Sequence, residues 1–214
     1  MAQTQARDQT PRDKTPRDKT PAAAPALPTT AWAVLGLLSF ERDLSGYDLK
    51  KWADASLRFF YWSPAASHIY TELRRLERLG YVSSRVARQD DLRNKRVYRI
   101  TRAGSEALAA WLRTEPEPTI VKNNTLLRVW LGHLADPAEL RAAVEHHRAE
   151  LYELHADARG AAERAESDEA WRYPQLVTRW AVRRLELDLE LVEELLADLD
   201  RVARSSSGPR RRSR

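Results

Sequence analysis

Residues 63–101 read SPAASHIYTELRRLERLGYVSSRVARQDDLRNKRVYRIT. The first half has the pattern of a short helix with an abrupt end. Ser63 is placed to cap the first amides, and Pro64 suits the opening turn, where its missing N–H would have no partner anyway. Ile69, Leu73, Leu76 and Leu79 recur at helical spacing, so one face is apolar. Ser67, His68, Thr71, Arg74, Arg75 and Arg78 share the opposite face. Gly80 supplies the left-handed residue that commonly ends a helix. Val82, Ser84 and Val86, then Tyr98 and Ile100, alternate with outward residues, which predicts a β-hairpin with a polar tip from Gln89 to Lys95. A basic-faced helix followed at once by a basic-tipped hairpin is the layout of a winged helix-turn-helix. In that layout the helix enters the major groove and the hairpin, or wing, lies along the backbone.

Upstream, residues 30–39 are apolar nearly all round, as suits a helix buried under the reading head. Ser45-Gly46-Tyr47-Asp48 has the form of a capping box opening a second helix that runs to about Phe60, with Leu49, Trp52, Ala53 and Leu57 inward. Downstream, Thr101 is the expected cap of a helix from Arg102 to Arg113, with Leu108, Trp111 and Leu112 inward. Glu115-Pro116-Glu117-Pro118 then breaks the pattern and ends the reading domain.

A further helix is expected over Lys122–Leu134, bringing Leu126, Leu127, Trp130, Leu131 and Leu134, and this segment is the expected junction between head and arm. Asp136-Pro137-Ala138-Glu139 is a strong helix start. From it Leu140, Val144, His147, Leu151, Leu154 and Ala158 recur at four- and three-residue steps. In the last helix, starting near Ser167–Pro174, Val182, Leu185, Leu189, Val192, Leu196 and Leu199 do the same, and Leu187, Leu191 and Leu195 add a second stripe. One partner helix needs one stripe. Two stripes predict contact with both the preceding helix and a second chain. Leu140, Val144, Leu151, Leu154, Val182, Leu185, Leu189, Val192, Leu196 and Leu199 are therefore the expected dimerisation positions.

The run IYTELRRLERLGYV (69–82), the hairpin ending KRVYRITRAG (95–104) and Trp111 together resemble the PadR family of transcriptional regulators. The match is close over about residues 32–111. It extends more loosely to Asp200, where the helical arm resembles the subgroup related to virulence-activator regulators. The resemblance implies a homodimer, and it places the Trp62-Ser63-Pro64 junction where the chain turns toward DNA. It also implies that the Tyr70 hydroxyl reaches the DNA backbone. Ser63, Ser67, His68, Tyr70, Thr71, Arg74, Arg75, Arg93, Lys95 and Arg96 are then the expected DNA-contacting residues. Some relatives take planar small molecules beside aromatic residues at the dimer interface, so Trp130 and Trp180 are candidate effector-pocket residues. The expected fold is mainly α with a small β-hairpin wing. A disordered repeat tail (1–28) precedes a winged helix-turn-helix domain (29–114). An antiparallel helical dimerisation domain (115–203) and a basic disordered tail (204–214) follow. The expected partners are double-stranded DNA, a second copy of the chain and a small-molecule effector. Repression is the family expectation, on a pseudo-palindromic operator, in the bacterial cytoplasm at the nucleoid.

Composition narrows the alternatives. The chain has 214 residues and no cysteine, so disulfides, thiolate metal sites and a cysteine nucleophile are excluded. No apolar run nears the about 20 residues that span a bilayer, and the N-terminus lacks the apolar core of a secretory signal. A soluble protein with no membrane partner is expected. The net charge of +5 is divided. Residues 63–102 hold ten Lys and Arg against four Asp and Glu, whereas residues 136–200 hold eight Arg against seventeen Asp and Glu. A polyanion would attract one end and repel the other, although solvated helix faces account for much of the acidity. No nucleophile elbow, phosphate-cradling glycine loop or H-E-x-x-H motif is present, so no enzyme and no cofactor are expected. His146 and Glu150 share a helix face, but a metal there is disfavoured and a solvated face is the plainer reading. The rival functions are a winged-helix protein-interaction module and an aromatic small-molecule-binding dimer.

Overall fold

The computed structural model describes residues 27–40, 42–89, 92–165 and 171–206. The N-terminal repeat, the Asp90-Asp91 tip and the arginines at the C-terminus lie outside the described residues, as does the side chain of Arg93.

The reading head comes first along the chain. Helix α1 (Thr29–Leu38) is buried along most of its circumference, as its composition demands. Strand β1 (Leu44–Ser45) leads into α2 (Gly46–Ala55). The capping box is formed: Asp48 N–H donates to the Ser45 hydroxyl, and the Asp48 carboxylate accepts from Ser45 N–H at 3.0 Å. The second helix does not continue to Phe60. Ser56 leaves helical dihedrals, and a 3₁₀ turn (Leu57–Phe59) follows. Helix α3 (Ala66–Arg78), β2 (Val82–Gln89), β3 (Leu92–Ile100) and α4 (Arg102–Trp111) complete the head. The sheet has the order β1-β3-β2, and its antiparallel β2–β3 ladder pairs Val82 with Ile100 and Ser84 with Tyr98. Gly80 has φ 72°, the left-handed turn expected of it. Thr101 caps α4 by accepting from Gly104 N–H at 3.1 Å.

Ile69, Leu73 and Leu76 are fully buried against α1 and α2, with Trp32, Leu35, Leu38 and Leu49 around them. Trp32 and Trp111 stack at 5.4 Å, and Trp52 also packs on this core. Three expected inward residues are exposed instead. Leu79 and Leu112 fall just past the ends of their helices, where the periodicity lapses. Val86 is 64% exposed because the hairpin has by then left the body of the domain.

The arm has its own core. Helices α6 (Pro137–Ala165) and α7 (Arg172–Ser206) lie antiparallel and pack along their length. Asp136 caps α6, its carboxylate accepting from Ala138 N–H at 2.8 Å. Val144, Leu151, Leu154, Val182, Leu185, Leu189, Val192, Leu196 and Leu199 fill the seam between the two helices. Leu140 packs under Gly132, where an added Cβ would lie 2.9 Å from it. Of these ten expected dimerisation residues, seven are buried within one chain, and Leu154, Val182 and Leu199 are half-buried. A long helix satisfies its main apolar stripe with the neighbour that its short connection delivers first. The second stripe stays partly open: Leu187 and Leu191 are exposed, whereas Leu195 packs against the arm core. Helix α7 also runs through Ser206, into the expected tail.

Over 122–134 only α5 (Asn124–Trp130) and a 3₁₀ turn (Gly132–Leu134) form, and neither buries a residue fully. Val129 packs on the arm core, but the main junctions lie elsewhere. Phe59, 3% exposed, leaves the head and joins the arm core. Beside it the Arg58 guanidinium pairs with Asp157 of α6 at 2.5 Å. Trp171, at the foot of α7, stacks on Phe40 at 4.7 Å and touches Trp52 at 5.4 Å. Among the described residues no helix is long and apolar enough to cross a membrane.

Candidate nucleic-acid interface

Because α3 commits Ile69, Leu73 and Leu76 to the core, its opposite face points to solvent. Ser67, His68, Tyr70, Thr71, Arg74 and Arg78 are all exposed. The Thr71 hydroxyl donates to the Ser67 carbonyl at 2.9 Å, and Arg74 reaches the Thr71 oxygen at 3.4 Å. Arg75 is half-buried and pairs with the buried Glu72 at 3.2 Å, so it is the least free of the α3 arginines. His68 meets Trp62 edge-on, with ring centroids 6.5 Å apart.

Ser63 does not cap α3. The helix opens at Ala66 after an extended Ala65 that offers no side-chain cap. The Ser63 hydroxyl donates to the Asp54 carboxylate at 2.5 Å and accepts from Lys50 at 3.3 Å. A charged acceptor on α2 outcompetes a neutral amide for that hydroxyl. Ser63 therefore fastens the turn between α2 and α3.

The base of the wing is held by ion pairs that the sequence did not disclose. Arg96 reaches back to Glu77 of α3 at 2.8 Å, shares the Ser84 hydroxyl with it, and lies over Tyr98. Lys95 approaches the Asp48 carboxylate of the capping box at 3.4 Å. On the outer face of the sheet Asp43 accepts from Arg99 at 2.6 Å and from Arg85 at 2.5 Å. Lys95 and Arg96, expected as wing contacts, thus also position the wing. Asp43, Arg85 and Arg99 escaped the sequence reading. Only the strand register, which sets Ser83 opposite Arg99 and Arg85 opposite Val97, brings them together.

These contacts shift the carboxylates. The Ser84 hydroxyl and the Arg96 guanidinium hold Glu77 below its ordinary value of 4.5. Arg99 and Arg85 do the same for Asp43, and Ser45, with a smaller contribution from Lys95, for Asp48, both from 3.8. A carboxylate lowered in the fold contributes stability that is complete above its unfolded pKa and is lost as pH falls through the folded one. The wing latch should therefore weaken only below pH 4.5 for Glu77 and below 3.8 for the aspartates. Thermal melts from about pH 6 to 3 check this: Glu77→Gln should flatten the acid limb relative to the wild type.

Trp130 and Trp180 are 79% and 57% exposed. Neither lines the cleft on the outer sheet face or the one on the arm. The sheet-face cleft lies at Asp43, Ser83, Ser84, Arg85, Val97 and Arg99. The arm cleft lies at Arg159, Ala162, Glu163, Arg179 and Val182. Trp180 lies outside the aliphatic seam between α6 and α7, and α5, which ends on Trp130, buries no residue fully. His146 and His147 approach Glu150 at 3.5 and 3.8 Å on one helix, and among the described residues no group of three such side chains is arranged to hold a metal ion.

Residues 34–110 match the family model of the transcriptional regulator PadR-like family, and residues 121–200 match that of the virulence activator alpha C-terminal region. The negative transcriptional regulator PadR of Bacillus subtilis is 36% identical over 100 residues, which are 46% of this chain and 54% of that protein. A probable transcriptional regulator of Mycobacterium tuberculosis is 33% identical over 79 residues, 37% of this chain and 41% of that one. The chain thus spans about half the length, or less, of these curated relatives. The crystal structure of B. subtilis PadR with operator DNA superposes with a TM-score of 0.67 at 27% identity, covering 80% of this chain and 99% of that one. The same protein with p-coumaric acid gives 0.60 at 26% identity, covering 81% and 99%. The virulence activator AphA of Vibrio cholerae shares the fold, with a TM-score of 0.61 at 23% identity over 80% of this chain and 98% of that one. The winged helix whose third helix bares a cationic face is thus, over residues 34–110, a match to the PadR-like family of transcriptional regulators, and the antiparallel arm behind it is a match to the virulence activator alpha C-terminal region.

Proposed function

We propose that the protein is a sequence-specific DNA-binding repressor that acts as a homodimer on a pseudo-palindromic operator and releases it on binding a planar small molecule. The observation that carries this reading is the free face of α3. Ser67, His68 and Thr71 are available for base edges, and Arg74 and Arg78 for phosphates, while the opposite face is fully buried. The likeness to B. subtilis PadR, solved in complex with operator DNA, supports DNA as the partner. Helix N-terminal halves usually carry the base contacts, and later cations fix register on the backbone.

Dimerisation is supported by apolar surface that one chain leaves uncovered. Leu126, Leu127, Trp130 and Leu134 around α5, and Trp180, Leu187 and Leu191 on α7, are exposed. A 35-residue helix spans about 52 Å, enough to hold two heads about 34 Å apart on successive major grooves. Trp130 and Trp180, open in one chain, would help to wall an effector site only once a second copy covers them. The p-coumaric acid complex of the B. subtilis relative supports a phenolic acid as effector class.

Selection of bound DNA from a random pool with the purified protein tests the reading. A palindrome with half-sites about one helical turn apart is expected. Sedimentation should give a dimer, and p-coumaric acid should lower the affinity for the recovered site. A pool that stays unenriched would sink the DNA-binding assignment.

A further inference from the structure

Tyr70 stands on the DNA-facing side of α3, yet its ring does not lie free. It is laid across the first residue of α2. A Cβ added to Gly46 would fall 2.3 Å from Tyr70 Cε1, 2.5 Å from Cζ and 2.9 Å from the hydroxyl oxygen. Carbon atoms do not approach so closely, so any side chain at position 46 must displace the phenol. Gly46 itself is buried, has an ordinary helical role and needs no left-handed backbone. Backbone conformation therefore does not require glycine there; the tyrosine does.

The surroundings fix the rest of the arrangement. Ser45 and Asp48 hold the start of α2 in a capping box, and Lys95 of the wing approaches the same Asp48 carboxylate at 3.4 Å. Helix α2, helix α3 and the wing meet at this point, with the 42% exposed Tyr70 on its outer side. The geometry points to Gly46 as the positioning residue for Tyr70. By lacking a side chain it lets the ring lie flat on α2 and so sets where the hydroxyl meets the DNA backbone. This inference rests on the DNA-binding reading of α3. A larger residue would swing the tyrosine outward, since a half-exposed ring yields more easily than a capped helix start. The fold would survive and the register of one backbone contact would not.

A mutant cycle on the full chain tests this, using anisotropy on the operator recovered by selection, with melting curves alongside. Gly46→Ala and Tyr70→Phe should each weaken binding by about tenfold to a hundredfold, the scale of one hydrogen bond to a charged group. The double variant should be no weaker than either single one, because both remove the same contact. Gly46→Ala should melt within about 5 °C of wild type. Wild-type affinity in Gly46→Ala, losses that add fully in the double variant, or a much larger fall in melting temperature would each overturn the proposal while leaving the DNA-binding reading intact. Absence of saturable binding by the wild type, with Arg74→Ala indistinguishable from it, would overturn both.

Discussion

Phe59→Ala is expected to lower stability by about 3–5 kcal/mol, the range for truncating a large buried aromatic, and to uncouple the reading head from the arm. Phe59 belongs by sequence to the head but is 3% exposed and belongs to the hydrophobic cluster of the arm. Its removal would leave a cavity where the two cores meet. It would also leave the surface ion pair of Arg58 with Asp157 to hold the joint, and such pairs contribute only about 0–1 kcal/mol. Scanning calorimetry should show a single transition giving way to two, or to one at much lower temperature. Phe60→Ala is the control, because Phe60 is 44% exposed and should cost little. A Phe59→Ala variant that melts like wild type would mean that the head is not anchored through this ring.

Replacing both Arg74 and Arg78 by alanine should change the salt dependence of operator binding more than any other pair on α3. Both are exposed, and among the described residues neither forms an ion pair with an acidic side chain. Each phosphate that no longer meets a protein cation should reduce the slope of log affinity against log salt by about 0.9. The double variant should therefore bind with a slope shallower by about 1.8 and an affinity about 25-fold to 100-fold lower at physiological salt. Arg183→Ala on the arm should leave the slope unchanged, since its guanidinium pairs with Glu186 at 2.9 Å far from the head. Arg96→Ala should behave differently from both sets. It removes the tie to Glu77, so it should lower thermal stability together with affinity. An unchanged slope in the double variant would place the phosphates elsewhere.

Local signals account for most of what the sequence disclosed. The apolar spacing of Ile69, Leu73 and Leu76 reported the buried face of α3, and Gly80 its end, because a 3.6-residue period and a left-handed turn are written within a few positions. The capping residues Ser45, Thr101 and Asp136 were legible for the same reason: each bonds an amide two or three residues away. Ser63 looked like a fourth cap and was not, since Asp54, nine positions earlier, claimed its hydroxyl.

The sequence alone determined a winged helix-turn-helix with a cationic helix face, followed by two long amphipathic helices. Its periodicities and caps are short-range and leave few alternatives. Only the tertiary structure decided how those pieces spend their surfaces. It buried seven of the ten heptad-like leucines and valines within one chain, left Trp130, Trp180 and Leu191 uncovered, sent Phe59 into the arm, and laid Tyr70 on Gly46. An apolar stripe states that it must be buried but not against what, because hydrophobic burial has no direction. Ion pairs such as Asp43 with Arg85 and Arg99 depend likewise on strand register across 42 and 56 residues of chain, which no local pattern encodes.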